Sequence, residues 1–116
     1  MMNLIDNYSF GRIVVNGKVY DSDIIIFPEY IKRNWWRIEG HKLHVDDIRD
    51  VLEYKPDILI VGTGSYGMLK ILEDTAKKIR EEGIKLIALP TDEACKEYNK
   101  LVKEGYKVVA ALHLTC

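Results

Sequence analysis

The order of apolar and polar positions changes character midway along the chain. In the first half, short β-rich runs are divided by turn residues. RIVVNGKVY, from Arg12 to Tyr20, is split by Asn16-Gly17, a pair favoured in type I′ turns because both central residues need positive φ. The pattern predicts a hairpin over about Gly11 to Tyr20. DIIIF, from Asp23 to Phe27, is nearly continuous in apolar character and stops at Pro28, which predicts a strand covered on both faces. Tyr30 to Glu39 carries Trp35 and Trp36 among charges and stops at Gly40. It reads as a further strand, on which the two tryptophans must face opposite sides. From Asp46 to Tyr54, Ile48, Val51 and Leu52 fall at i, i+3 and i+4, a short helix with an acidic start.

In the second half strands and helices alternate. Asp57 to Val61 reads as a buried strand. Ser65 to Glu82 places Met68, Leu69, Leu72, Ala76 and Ile79 on one helical face and stops at Gly83. Ile84 to Leu89 is a strand, and Thr91 to Glu104 a helix, with Thr91 and Asp92 as cap candidates and Gly105 as its stop. Tyr106 to Leu112 is a final strand. A βαβαβ series of this kind makes parallel neighbours with right-handed crossovers. No linker or repeat interrupts the 116 residues, which read as a single α/β domain over 1–116.

Composition narrows the function classes. Lys and Arg number 17 against 18 Asp and Glu, a formal net charge of -1, so no global field favours nucleic acid. The apolar runs are far shorter than the ~20 residues that span a bilayer. The N-terminus lacks the basic start and apolar stretch of a secretory signal, which points to a cytoplasmic protein with no membrane partner. The chain is rich in Lys, Glu and Ile and contains no Gln, a vocabulary of heat-adapted proteins. Cys95 and Cys116 form no C-x-x-C motif and are expected as free thiols in a reducing cytosol.

Gly62-Thr63-Gly64-Ser65-Tyr66-Gly67 has the spacing G-x-G-x-x-G after a predicted strand and at the start of a predicted helix, with Asp92 just past the following strand. In a dinucleotide fold such glycines let backbone amides approach a pyrophosphate at a helix N-terminus. The half of the chain before the glycines is antiparallel, so the second mononucleotide unit has no place, and no cofactor is expected. The motif remains a candidate anion cradle or a tight turn.

The Gly62-Thr63-Gly64 turn, the helix TDEACKEYNKL with Thr91, Ala94, Tyr98, Asn99 and Leu101, the terminal ALHLTC, the early Trp36 and the segment LHVDDI resemble the Mth938-domain family over nearly the whole chain. The resemblance implies a three-layer α/β domain with a mixed β-sheet, a small additional antiparallel sheet and two main helices. It implies no particular reaction: no activity is established for that family, although eukaryotic members are associated with respiratory complex I assembly.

Three functional readings follow. In the first, Gly62, Thr63, Gly64, Ser65, Thr91 and Asn99 line an edge where strand C-termini collect ligands, and the domain binds a small anion, a polar ligand or a protein partner there. In the second, Cys95, Asp92 or His113 acts catalytically at that edge, Cys95 because a thiol in the first turn of a helix can have a lowered pKa. In the third, Trp35 or Trp36 anchors a protein partner, as exposed tryptophans tend to do. His41 and His44 sit in an extended or turning segment where i and i+3 point apart, as do His113 and Cys116 on a strand, so no metal is expected. A monomer or weak homo-oligomer fits all three readings.

Overall fold

The computed structural model describes residues 2–116. Its centre is a five-stranded mixed sheet. β1 (Ile5–Ser9), β2 (Arg12–Val15) and β3 (Lys18–Tyr20) form a separate antiparallel sheet. The hairpin forms where Asn16-Gly17 predicts it, with φ of 50° and 78° at the two turn residues. β4 (Ile24–Ile26) and β5 (Ile31–Lys32) join the main sheet, while β6 (Lys42–Leu43) precedes a short 3-10 turn and α1 (Arg49–Tyr54). Then come β7 (Ile58–Thr63), β8 (Lys70–Ile71), α2 (Glu73–Glu81), β9 (Lys85–Leu89), α3 (Thr91–Lys103) and β10 (Val108–His113).

The main sheet has the order β5-β4-β10-β7-β9. β10, β7 and β9 run parallel, and β4 and β5 are antiparallel additions on the β10 side. The chain moves outward from β7 to β9 and back from β9 to β10, so right-handed crossovers must put α2 and α3 on opposite faces. The core shows that they do. Ile24, Ile26, Ile58, Ile60, Ala110 and Leu112 pack on one side with α3 and the three-stranded sheet. Ile25, Leu59, Val61, Val109 and Ala111 pack on the other with α1 and α2. Alternate residues of one strand thus enter two cores, which is why these strands read as unbroken apolar runs.

Two expectations fail locally. The helix predicted from Ser65 begins only at Glu73. Met68 and Leu69 match its apolar phase, but the chain after β7 instead turns and lays β8 parallel to β6, pairing Lys70 with Lys42 and Ile71 with Leu43. Of the strand predicted over Tyr30 to Glu39, only Ile31–Lys32 forms a strand, with Glu39 adding an isolated antiparallel bridge to Lys42. The rest is a loop held by side chains, and its two tryptophans still point apart.

Candidate functional site

The expected ligand edge lies at the carboxyl ends of β7 and β10. Thr91 is fully buried there, between strands and helix. Its hydroxyl donates to the His113 carbonyl at 2.6 Å and accepts the Gly64 amide at 2.8 Å, while its own amide donates to the Gly64 carbonyl at 3.1 Å. It does not cap α3, whose N-cap is Pro90. The sequence places the glycine turn and the start of α3 together correctly, but in direct contact rather than around a hollow.

The chain's last residues take what remains of the turn. Ser65 donates its amide to the Thr115 carbonyl, Met68 to Cys116, Leu69 to Thr63 and Gly67 to Gly64. Gly62 is flanked so closely that a Cβ would lie 2.9 Å from both Leu112 Cδ2 and Thr91 Oγ1. At Gly64, φ is +104° and a Cβ would strike the Cys116 backbone. Glycine is needed here to admit the protein's own tail, and of the amides expected to meet an anion, Gly64's is spent on Thr91 and Ser65's on that tail. The motif also opens no helix, which removes the partial positive charge that such a cradle requires.

The remaining candidates on α3 face elsewhere. Asn99 donates to the Ile5 carbonyl at 2.7 Å and accepts the Ile5 amide at 2.9 Å, so its side chain acts as a strand neighbour for β1. Asp92 and Cys95 lie toward Tyr8 and Asn99, on the side of α3 that meets β1. Burial, then the Asp92 charge, pushes the Cys95 thiol up to about 12, the reverse of an activated nucleophile. His113 bonds elsewhere, so the three residues of the catalytic reading do not converge. Cys95 and Cys116 are both free thiols.

A polar constellation that no motif announces sits beside this edge. Asp23 Oδ2 accepts from Arg37 Nη1 and from His113 Nδ1, each at 2.8 Å, and its Oδ1 accepts the Leu114 amide at 2.8 Å. Arg37 and His113 side chains are only 6% and 7% exposed. Burial pushes the Asp23 carboxyl up, but the bonds from His113, Leu114 and Arg37 outweigh it and hold the group below its ordinary 3.8. With Nδ1 protonated toward Asp23, His113 Nε2 is left buried without a partner. Asp23, Arg37 and His113 are distant in sequence, so only the fold could bring them together.

This network fixes the tryptophan loop. Trp35 is buried, donates its indole N–H to the Asp47 carbonyl at 3.0 Å and its amide to the Asp23 carbonyl. Arg37 Nε and Nη2 grip the Gly40 carbonyl, and Asp47 accepts the amides of Ile38 and His44. Between these clamps Trp36 is 86% exposed, at the mouth of a hollow of about 370 Å3 shared with Asp21, Asn34, His113 and Thr115. Ile38, Tyr66, Met68 and Phe10 are also exposed, and the Phe10 and Tyr66 rings lie 6.1 Å apart. His44 bonds Glu39 at 2.6 Å while His41 packs edge-on to His113. Among the described residues no three His, Cys, Asp or Glu side chains are grouped to hold a metal ion.

The family model described as protein of unknown function (DUF498/DUF598) matches residues 5–113. The chain belongs to this family. A conserved hypothetical protein from Pyrococcus horikoshii OT3 is 33% identical, with a TM-score of 0.79 and coverage of 97% of this chain and 98% of that one. A Bordetella pertussis protein described as a Mth938-like domain shares the fold at a TM-score of 0.70 and 23% identity, over 97% of this chain and 85% of its own. The 13 kDa major membrane protein of Francisella tularensis subsp. holarctica (strain LVS) is 30% identical over 105 residues, 87% of this chain and 82% of the relative. The Mth938-like architecture read from the sequence thus holds for the DUF498/DUF598 chain. Among its described residues no helix is long and apolar enough to cross a membrane.

Proposed function

We propose that this DUF498/DUF598 protein is a binding domain that docks a protein partner through the carboxyl-end surface centred on Trp36. One observation carries the reading: Trp36 is almost wholly exposed although the side chains on either side of it, Trp35 and Arg37, are buried and clamped. Exposing an indole forgoes burial worth about 2 kcal/mol or more. Holding it on a fixed loop removes in advance part of the ordering cost of association. Trp is the residue type most often found to anchor an interface, and exposed Ile38, Tyr66 and Met68 extend the apolar surface at this end of the sheet.

A second reading is contact with a membrane surface, favoured by the name of the Francisella relative. An aromatic cluster, with no spanning helix among the described residues, is suited to peripheral attachment. The test is a photo-crosslinking residue at Ile38, compared with the same probe in a Trp36→Ala background, alongside sedimentation with anionic vesicles. Docking gives a discrete protein adduct that Trp36→Ala removes while the melting temperature is unchanged. Vesicle sedimentation lost in Trp36→Ala favours the membrane instead. An adduct indifferent to Trp36→Ala refutes the tryptophan anchor.

A further inference from the structure

A wide hollow lies at the other end of the parallel strands, where α1, α3, the Pro28 turn and the start of β10 meet. It measures about 770 Å3, within the ~300–1,000 Å3 of small-molecule sites. We propose that this cleft binds a small amphipathic anion: an apolar, ring-sized body carrying one carboxylate or sulfonate.

The walls dictate the body. Tyr54, Tyr98, Tyr106, Pro28, Val102 and Val108 line the cleft, and two of the three phenols are already spent on the chain. Tyr98 donates to the Asn3 carbonyl at 2.8 Å, and Tyr54 donates to Glu29 Oε1 at 2.7 Å. Their rings therefore present carbon to the hollow. They are also firmly placed: Phe27 stacks on Tyr30 at 4.5 Å and meets Tyr54 edge-on at 5.4 Å, and Asn3 Nδ2 pins the rim by donating to the Phe27 and Pro28 carbonyls.

The rim dictates the head. Lys107 Nζ lies 4.6 Å from the centre of the Tyr54 ring and has no ion-pair partner among the described residues. The nearby Asp57 accepts the Lys107 amide. The other charged rim residue, Glu29, has one carboxylate oxygen engaged by Tyr54 and repels an anion, so the head points to Lys107 and the body into the tyrosines. No backbone amide or bound metal is required.

The probe is 8-anilinonaphthalene-1-sulfonate, an aromatic body with one sulfonate, titrated by fluorescence against the whole folded chain, with decanoate as competitor. The site gives one saturable event that decanoate displaces and that maps by amide shifts to residues 102–108. Lys107→Glu, a surface change that leaves the fold intact, weakens it about tenfold or more, the loss of one charge-assisted contact. N-phenyl-1-naphthylamine, which lacks the sulfonate, is unaffected by Lys107→Glu, while Val102→Trp, which fills the cleft, removes both probes. Absence of saturation, shifts mapping elsewhere, or equal sulfonate affinity in Lys107→Glu would overturn the assignment.

Discussion

At the carboxyl ends of β7 and β10 the chain closes over itself, whereas at their amino ends it leaves a cleft of about 770 Å3. The carboxyl end is where parallel sheets ordinarily collect ligands, and here it holds Thr91, the backbone of residues 114–116 and the Asp23–Arg37–His113 network. The amino end carries no sequence motif and is walled by tyrosines. The contrast separates position in a fold from donor availability: a glycine turn at the right edge presents an anion with few free donors when its amides are already bonded. What the closed end offers to the outside is a tryptophan on a fixed loop, flanked by exposed Ile38, Tyr66 and Met68.

The sharpest way to break this contrast is Gly64→Ala. A side chain at φ +104° that also meets the Cys116 backbone should cost about 3–5 kcal/mol in urea unfolding, from strain and overpacking together. A neutral outcome would mean that the tail does not seat on the turn. Next comes Asp23→Ala, which strands the buried Arg37 and should cost about 3 kcal/mol. Its pH dependence follows from the lowered carboxyl: the stabilisation is complete above the unfolded value of 3.8 and is lost as the pH falls through the lower folded value. Wild type and Asp23→Asn should therefore converge in melting temperature toward strongly acid pH and separate toward neutral.

Thr91→Val keeps the shape but strands the Gly64 amide and the His113 carbonyl, and about 2 kcal/mol should be lost by denaturant titration. The smallest stability effect belongs to Trp36→Ala, within about 0.5 kcal/mol because the side chain is exposed. That variant loses the partner adduct instead. A large destabilisation would move Trp36 from the docking surface into the core.

Much of this was legible in the sequence because it rests on local chemistry. Asn16-Gly17 gave the hairpin, the apolar runs gave β4, β7 and β10, and Gly83 and Gly105, with φ of +80° and +95°, mark where α2 and α3 stop. Trp35 and Trp36 pointed apart as strand alternation required, although their segment is a loop. The false start of α2 has a physical source: Met68 and Leu69 fall in helical phase, yet a two-residue ladder with β6 wins over helix extension through Gly67. The closed edge was illegible because it depends on the C-terminal tail folding back across residues 64–68. The Asp23–Arg37–His113 network and the tyrosine cleft were hidden for the same reason, since each joins residues far apart in the chain.

The most direct test is native-state hydrogen exchange at the amides of Gly64, Ser65, Met68 and Leu69, read from 1H–15N spectra before and after addition of inorganic phosphate. A closed carboxyl end gives exchange as slow as in β7 and no phosphate-dependent shift at any of the four. Rapid exchange, or saturable shifts confined to these amides on adding phosphate, would show an open anion cradle and contradict the closed edge.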